Sequence, residues 1–277
     1  MHFKLTCVVD DGVPLDPALR HEHGLSFLIE TVEARVLFDT GPRGEVLLHN
    51  MEVLGIDPQR LTALALSHGH YDHTGGLPAL LDHLPPHLPL YAHPDLFRER
   101  FSRRKSGLKS VGISIGREEL AARLALHLSA EPTEIAAGIW TTGEITDRPE
   151  PEGASERHLV RGDGGFVHDP YRDDLSLVLE TDAGLVVVCG CCHAGLLNTL
   201  THVRRKFGGE IIAVIGGTHL LDTDEAGLAH IVAVLRETYN SPRLYLNHCT
   251  GDKAIEILQR AFGERVAPCP AGTVLTF

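Results

Sequence analysis

The sequence is short of positive charge. Lysine and arginine together number 25 against 37 aspartates and glutamates, which gives a formal net charge of -12 at pH 7. Because contacts to a nucleic-acid backbone draw on lysine and arginine, we expect no nucleic-acid partner. The chain also lacks any apolar run near the length of a membrane span, and no secretory apolar core follows Met1. We therefore expect a cytoplasmic protein with no membrane partner.

The six cysteines do not form the pattern of a disulfide framework. Cys189, Cys191 and Cys192 crowd the end of one predicted strand, where conventional disulfide pairs cannot form, so a reducing cytoplasm is the simpler interpretation. The 277 residues allow one large domain or two small ones, and the apolar content is enough for a sizeable core. Histidine, in contrast, is abundant at 18 residues, which favours metal chemistry.

The densest cluster of candidate ligands is segment 67–76, with the sequence Ser-His-Gly-His-Tyr-Asp-His-Thr-Gly-Gly. It follows an apolar run that predicts a buried strand and precedes a predicted helix. The four metal-capable side chains therefore lie on a loop between a strand and a helix, and they are close enough to hold two ions. We predict that His68 and His70 face one ion and that Asp72 and His73 face the other.

Three other predicted strands also end in metal-ligand types. One ends before Cys191 and His193, the next before His219 and the last before His248. A single histidine at a strand end is usually structural, but four strand ends with candidate ligands predict convergence on one site. His21 and His23 lie in a polar loop that we place near the mouth of that site, but no carboxylate follows them to support a metal pair.

Segment 67–76 resembles the signature of the metallo-β-lactamase superfamily. The resemblance implies an α/β fold of the αββα type, a four-layer sandwich with one or two metal ions at its edge. It also implies that Asp39, at a strand end, is a structural neighbour of the metal loop and that His248 is the last ligand. The bridging aspartate of the family falls at Cys191, so His193 is the natural substitute as a ligand. Cys191 either binds metal as a thiolate or is inert.

Further motifs narrow the resemblance to one subgroup of the superfamily. They are Gly-Cys-Cys-His-Ala-Gly, Gly-Gly-Thr-His-Leu and His-Cys-Thr-Gly. With the first segment they resemble a subgroup typified by archaeal 7,8-dihydropterin-6-methyl-4-(β-D-ribofuranosyl)aminobenzene-5'-phosphate synthase, whose reaction condenses a pterin-methyl diphosphate with an aryl amine and releases diphosphate. Many members of the subgroup are described only as metal-dependent hydrolases. The similarity covers most of the chain, so residues 1–277 are predicted to form a single domain, with an irregular excursion at about 147–170.

The sequence predicts a metal-dependent hydrolase with one or two divalent ions, zinc first and manganese or iron as alternatives. The cation would lower the pKa of a bound water toward neutrality and polarise the scissile group. Asp72 would be a ligand and a proton acceptor. His219 would be either a donor to the transition state, which we favour, or a neighbour of the ligands. The alternative is the diphosphate-releasing transferase, in which metals clamp the leaving group. A di-iron redox or binding protein is a hypothesis from another class.

One dense basic segment stands out from the acidic chain. Residues 98–109 contain four arginines and two lysines but only one acidic residue. Arginine and lysine are the usual partners of phosphate. We therefore predict a lid over residues 98–116 in which Arg103, Arg104 and Lys105 bind an anionic, phosphorylated small molecule. The alternative is a solvated surface with no ligand.

Overall fold

The computed structural model describes residues 2–277, which form 18 strands and seven α-helices. The strands in chain order are β1 (Lys4–Val9), β2 (Ser26–Glu30), β3 (Arg35–Phe38), β4 (Ala63–Ala65), β5 (Pro89–Ala92), β6 (Arg100–Arg104), β7 (Gly107–Ser110), β8 (Ala125–Leu128), β9 (Thr133–Ala136), β10 (Ile139–Thr141), β11 (His158–Gly162), β12 (Gly165–His168), β13 (Ser176–Thr181), β14 (Gly184–Cys189), β15 (Ile211–Gly216), β16 (Arg243–Leu246), β17 (Val266–Pro268) and β18 (Val274–Thr276). The helices are α1 (Gly44–Val53), α2 (Tyr71–Thr74), α3 (Leu77–Leu80), α4 (Arg117–Ala121), α5 (Leu196–Phe207), α6 (Glu225–Glu237) and α7 (Asp252–Phe262).

Two seven-stranded sheets stack face to face. The first has the strand order β18-β1-β2-β3-β4-β5-β8, and the second has the order β17-β16-β15-β14-β13-β10-β9. Strands alternate their side chains between two cores. In β13, Leu177 and Leu179 join the core between the sheets, whereas Val178 joins the core under the helices. α1 and α3 cover the outer face of the first sheet, and α5, α6 and α7 cover that of the second. The predicted four-layer αββα sandwich is therefore confirmed.

Parallel pairing brings the ligand-bearing strand ends to one edge of each sheet. β3, β4 and β5 run parallel, and so do β14, β15 and β16. Asp39 follows β3, and segment 67–76 begins just after β4. Residues 191–193 follow β14, His219 follows β15, and His248 follows β16. Since parallel strands end on the same side of a sheet, local strand geometry accounts for the grouping of these side chains.

A third sheet, with the order β12-β11-β6-β7, lies outside the sandwich. We call these four strands the cap sheet. The β6–β7 hairpin comes from the predicted lid, and the β11–β12 hairpin comes from the segment predicted to be an irregular excursion. That prediction is wrong for residues 158–168, which form a regular hairpin paired to β6 through His158 and Ser102. All four residues of β12 are exposed, so this strand has no alternating apolar pattern by which the sequence could have revealed it.

Arg100 anchors the cap sheet. Its side chain is almost completely buried, and its guanidinium forms ion pairs with Asp169 and Asp173. Backbone carbonyl groups at residues 95, 96 and 98 accept further hydrogen bonds from the same guanidinium. Arg100 belongs to the basic segment of the sequence, but its charge is neutralised inside the protein. This arginine therefore holds the cap in place and does not face a ligand.

Two observations on residues 2–277 concern membrane spans and disulfides. Among residues 2–277, no helix combines the length and the apolar character needed to cross a bilayer. The six cysteines are all free thiols, five of them buried.

Candidate active site

The first ligand group is His68, His70 and His193. One side-chain nitrogen of each lies within 4.8 Å of the others, and His68 Nε2 faces His70 Nδ1 at 3.0 Å. The three side chains are buried, and the Nε2 atoms of His70 and His193 have no hydrogen-bond partner among residues 2–277. Burial lowers the pKa of all three histidines. Neutral imidazole with a free lone pair is the form that binds zinc and related metals.

Hydrogen bonds fix the tautomers of two of these rings. Nδ1 of His193 donates to the carbonyl oxygen of Gly153 (2.9 Å). The hydroxyl of Ser67 donates its only hydrogen to Asp39 Oδ2 (2.7 Å), so the Ser67 oxygen accepts from Nδ1 of His68 (2.9 Å). Both rings therefore carry the proton on Nδ1 and leave the lone pair on Nε2. Outer hydrogen bonds of this kind orient histidines in metal sites.

The second ligand group is Asp72, His73 and His248. His73 Nε2 and His248 Nε2 lie 3.2 Å apart, and Asp72 Oδ2 lies 3.7 Å and 3.5 Å from them, respectively. Burial would raise the pKa of Asp72, but the charge of His73 and the hydrogen bond with His248 lower it. Burial would likewise lower the pKa of His248, but Cys249 and the carboxylates around it raise that pKa. The group therefore favours a cation at its centre, whether a proton or a metal ion.

Carboxylates outside the second group orient its two histidines. Asp39 Oδ2 accepts a hydrogen bond from Nδ1 of His73, and Asp11 Oδ1 accepts one from Nδ1 of His248, both at 2.7 Å. Each bond leaves the Nε2 lone pair facing the group centre. Asp39 also accepts from the backbone N–H of Ser67 (2.8 Å). It thus contacts the metal loop directly, in the place that the family resemblance implied.

Sharp backbone turns aim several of these side chains. Asp39, Cys192, His219 and His248 have φ angles of 62°, 57°, 47° and 48°. A positive φ is uncommon for residues other than glycine and costs conformational energy. All four residues lie close after a strand end, where the chain must reverse direction at the sheet edge. Packing and hydrogen bonds around the candidate site must hold these conformations in place.

Cys191 lies between the two ligand groups. Its Sγ is 3.1 Å from His73 Nε2, and Cys191 also forms a candidate ligand group with His248 and Cys249. Burial, and then the neighbouring Cys249, raise the pKa of Cys191. Burial would also raise the pKa of Cys249, but the hydrogen bond from Cys191 and the charge of His248 lower it to about 5. Two sulfur atoms therefore lie beside the nitrogen ligands, and Cys249 was not among the predicted ones.

An open cleft of about 860 Å³ reaches the second ligand group at His248. Arg104, Arg157 and His158 line it from the side of the cap sheet, and His219 lines it as well. Neither Arg104 nor Arg157 makes an ion pair with another described residue. Two unpaired guanidinium groups therefore face a solvent-filled cleft next to the candidate metal ligands.

The three predicted substrate-binding cations do not lie together. Arg104 lines the cleft, but Arg103 and Lys105 do not. Successive residues of a strand point to opposite faces, so Arg103 and Arg104 in β6 cannot both face the ligand. Arg103 and Lys105 are exposed on the outside of the cap. The predicted set is therefore reduced to Arg104.

His219, predicted as a donor, lines the cleft, and its ring centre lies 4.5 Å from that of His193. His23 also lines the cleft, with Nε2 at 3.5 Å from Asp72 Oδ2. Sequence reasoning missed Asp11 and His158. Asp11 comes two residues after β1, so the strand-end argument that singled out Asp39 could have found it. His158 lies in a segment without a periodic pattern, and no sequence signal places it here.

Comparison with known proteins identifies the family. The model of the metallo-β-lactamase superfamily matches residues 19–203. The whole chain is 31% identical to 7,8-dihydropterin-6-methyl-4-(β-D-ribofuranosyl)-aminobenzene-5'-phosphate synthase of Methanocaldococcus jannaschii, with 97% of that relative covered. Among solved structures, Tm1679, a metal-dependent hydrolase of the β-lactamase superfamily, superposes with a TM-score of 0.84 at 28% identity, over 99% of this chain and 98% of the other.

A more distant structure shares the fold. Zinc-bound PqqB from Methylobacterium extorquens has a TM-score of 0.60 at 15% identity, with 99% of each chain covered. Members of the superfamily typically bind divalent metals, and the buried, neutral histidines described above suit such ions. The chain belongs to the metallo-β-lactamase superfamily, and it is an enzyme.

Proposed function

We propose that the protein is a metal-dependent hydrolase that acts on a small phosphorylated molecule. One divalent ion would be held by His68, His70 and His193. A second would be held by Asp72, His73 and His248, the group that the cleft reaches at His248. The observation that carries the proposal is the closeness of these two ligand groups to a cleft with two unpaired arginines.

The chemistry of the candidate ligands favours zinc over other divalent ions. Imidazole nitrogens with a single carboxylate are typical of zinc sites, whereas magnesium and calcium prefer oxygen ligands. Manganese and iron remain alternatives, because imidazole and carboxylate also suit them. When bound, such ions polarise the scissile group and supply an activated water.

The side chains around the ions would handle the protons. The lowered pKa of Asp72 favours its ionised form, and its Oδ2 lies 3.5 Å from Nε2 of His23, which lines the cleft, so Asp72 would accept a proton from the attacking water. His219, which also lines the cleft, would donate a hydrogen bond to the oxygen on which charge develops. Both roles were predicted from the sequence, and both remain proposals.

The charges of the cleft support an anionic substrate. Arg104 and Arg157 lack acidic partners in a chain whose net charge is -12. An arginine without a protein partner in a cleft is well suited to a phosphate, because its planar donors match phosphate oxygens. Asp10 and Asp252 also line the cleft, so the positive charge of the cleft is confined to the side of the cap sheet.

A second candidate function is transfer instead of hydrolysis. The observation that favours it is the 31% identity over the whole chain to a synthase. In that case the ions and arginines would hold a diphosphate leaving group, and an aryl amine would replace water as the nucleophile. The two reactions differ in their products: hydrolysis at phosphorus puts one oxygen from solvent water into the phosphate product, and transfer to an amine does not.

The test begins with metal-free protein reloaded with zinc, manganese or iron. A panel of phosphodiester, lactone and pterin diphosphate substrates, the last with and without an aryl amine, would then be assayed in ¹⁸O-labelled water. We expect metal-dependent turnover of a phosphorylated substrate, with ¹⁸O in the product. His248→Ala should abolish it, whereas His127→Ala, whose ring stacks on Tyr91 away from the ligands, should not.

Three outcomes would contradict the proposal. Failure of the wild-type protein to bind any of the three metals would exclude a metal-dependent reaction. Turnover that needs the amine and leaves ¹⁸O out of the product would replace hydrolysis by transfer. A visible absorption band from iron in the purified protein, without turnover of any substrate, would favour the di-iron hypothesis.

A further inference from the structure

His158 is a polar group in the cleft that the proposed chemistry does not use. It is the first residue of β11 and pairs with Ser102 in the cap sheet. The side chain is half-buried and lines the cleft. Its ring centre lies 4.7 Å from that of His70, at an interplanar angle of 77°. Nε2 of His158 makes no hydrogen bond to the part of the chain that the structure describes.

Tyr171 is the partner of the other ring nitrogen. Its hydroxyl lies 2.9 Å from Nδ1 of His158 and accepts a hydrogen bond from the backbone N–H of Ser155 (3.1 Å). The Tyr171 ring is buried and stacks on His193, with the ring centres 4.1 Å apart and an angle of 14° between the planes. A tyrosine hydroxyl, with an ordinary pKa of about 10, keeps its hydrogen at neutral pH.

The position of that hydrogen determines the tautomer of His158. A tyrosine hydroxyl has one hydrogen to donate. Its oxygen already accepts from Ser155, and the only other polar atom bonded to it among the described residues is Nδ1 of His158. The hydroxyl therefore donates to Nδ1, which must be unprotonated. A ring with a bare Nδ1 is neutral and carries its hydrogen on Nε2, the atom without a protein partner.

We propose that His158 is a neutral hydrogen-bond donor for an oxygen atom of the substrate and that Tyr171 is the positioning residue that fixes its tautomer. The identity of the substrate as a phosphorylated molecule rests on the proposed function. His158 follows Arg157 in the chain and pairs with Ser102 of the strand that carries Arg104, and it lines the same cleft as both arginines. The two arginines attract the anion by their charge, and the neutral N–H of His158 orients one of its oxygen atoms by a hydrogen bond.

A purely structural role of the Tyr171–His158 hydrogen bond predicts different experimental results. If the Tyr171–His158 bond only fastened the cap sheet to the sandwich, the tautomer would not matter to a ligand. The two roles are separated by observing the ring nitrogens directly and by measuring phosphate binding in the same variants.

The experiment uses the full-length, zinc-loaded protein with ¹⁵N-labelled histidine. Long-range ¹H–¹⁵N correlation spectra distinguish an Nε2–H ring from an Nδ1–H ring, and loss of the signal in His158→Gln assigns it. We expect an Nε2–H ring in wild type and a mixture of tautomers in Tyr171→Phe, which keeps the stacked ring but lacks the hydroxyl. Unchanged zinc content and circular dichroism would show that the variant is folded.

Inorganic phosphate is the binding probe. Its addition should shift the Nε2 signal of His158, and His158→Ala should weaken phosphate binding about threefold to tenfold, the effect of one hydrogen bond. His168→Ala is the matched control, because His168 lies in the same sheet on exposed β12, and it should bind phosphate as wild type does.

The inference fails if the wild-type ring is Nδ1–H, if Tyr171→Phe does not change the tautomer, or if His158→Ala binds phosphate normally. Each of these results leaves the hydrolase proposal standing. Conversely, an Nε2–H ring that binds phosphate, in a protein that hydrolyses nothing on the panel, supports the donor role and overturns only the proposed reaction.

Discussion

Asp11 Oδ1 lies 2.7 Å from Nδ1 of His248, although 237 residues separate them in the chain. The other oxygen of the same carboxylate, Oδ2, lies 2.7 Å from Nδ1 of His23. Burial would raise the pKa of Asp11, but the hydrogen bonds from His23 and His248 lower it. An ionised carboxylate from the start of the chain therefore orients the candidate metal ligand nearest its end.

The first prediction concerns this carboxylate. Asp11→Asn removes the charge that holds the His248 tautomer, so we expect the affinity of the second ligand group for zinc to fall about 10- to 100-fold. The first group does not contact Asp11 and should keep its ion. Zinc titration followed by calorimetry measures both sites. Asp16→Asn, in an exposed loop, is the control, and equal losses at both sites in Asp11→Asn would contradict the prediction.

The second prediction separates His193 from Cys191. His193→Ala leaves the first group with two ligands, so the metal content should drop. Cys191→Ser should keep the metal content near that of wild type, because six other side chains already complete the two groups. Elemental analysis after zinc loading gives the stoichiometry. Loss of an ion in Cys191→Ser, with no loss in His193→Ala, would mean that the two roles are assigned the wrong way round.

The third prediction concerns the arginine on the cap side of the cleft. Arg104→Ala should raise KM for a phosphorylated substrate about threefold to tenfold and leave kcat nearly unchanged, the pattern of lost uniform binding. The effect should shrink as salt rises, because exposed charges are screened.

The matched control for Arg104 is the double variant Arg103→Ala/Lys105→Ala. It removes two charges from the same hairpin but from positions outside the cleft, so KM should stay within about twofold of wild type, as expected for exposed charges without a specific partner. A rise in KM as large as that of Arg104→Ala would show that general charge, not the cleft position, attracts the substrate.

The fourth prediction concerns the pH dependence of stability and a histidine that is not among the candidate metal ligands. His202 in α5 is almost completely buried; its Nε2 donates to the carbonyl of Thr142 (2.9 Å), and its Nδ1 has no partner. Burial lowers the pKa of His202, so below the usual histidine pKa of about 6.5 the unfolded chain binds more protons than the folded one. Stability from this group is present at neutral pH and is lost as the pH falls.

The measurement is urea denaturation of metal-free protein at two pH values, one on each side of the usual histidine pKa. His202→Gln keeps a donor for Thr142 but does not titrate, so its free energy of unfolding should decline less on acidification than that of wild type. Identical declines in the two proteins would show that His202 does not contribute.

The resemblance of segment 67–76 to a known superfamily predicts the sandwich, whereas the convergence of the candidate ligands on one site follows from local patterns. Apolar strands that end in histidine or aspartate can be recognised in the sequence. Parallel pairing of such strands then places their ends at the same edge of the sheet. His193 could be chosen as a ligand on this basis, since it follows β14 as His248 follows β16.

The cap sheet could not be predicted in this way. Its strands are short, and β7 and β12 are exposed along their whole length, so no alternation marks them. The pairing of His158 with Ser102 joins segments that are distant in the chain. Arg100 illustrates the same limit: it belongs to the basic segment 98–109, but its partners Asp169 and Asp173 come from another segment.

The cap sheet is built from two separate insertions, one between β5 and β8 of the first sheet and one between β10 and β13 of the second. No ligand of either proposed metal group comes from it, while Arg104 and His158 do. In the proposed function, the metal ligands and the cap residues that contact the substrate therefore come from different stretches of the chain. Replacing these two hairpins with those of relatives would be a way to change the substrate range without altering the candidate metal ligands.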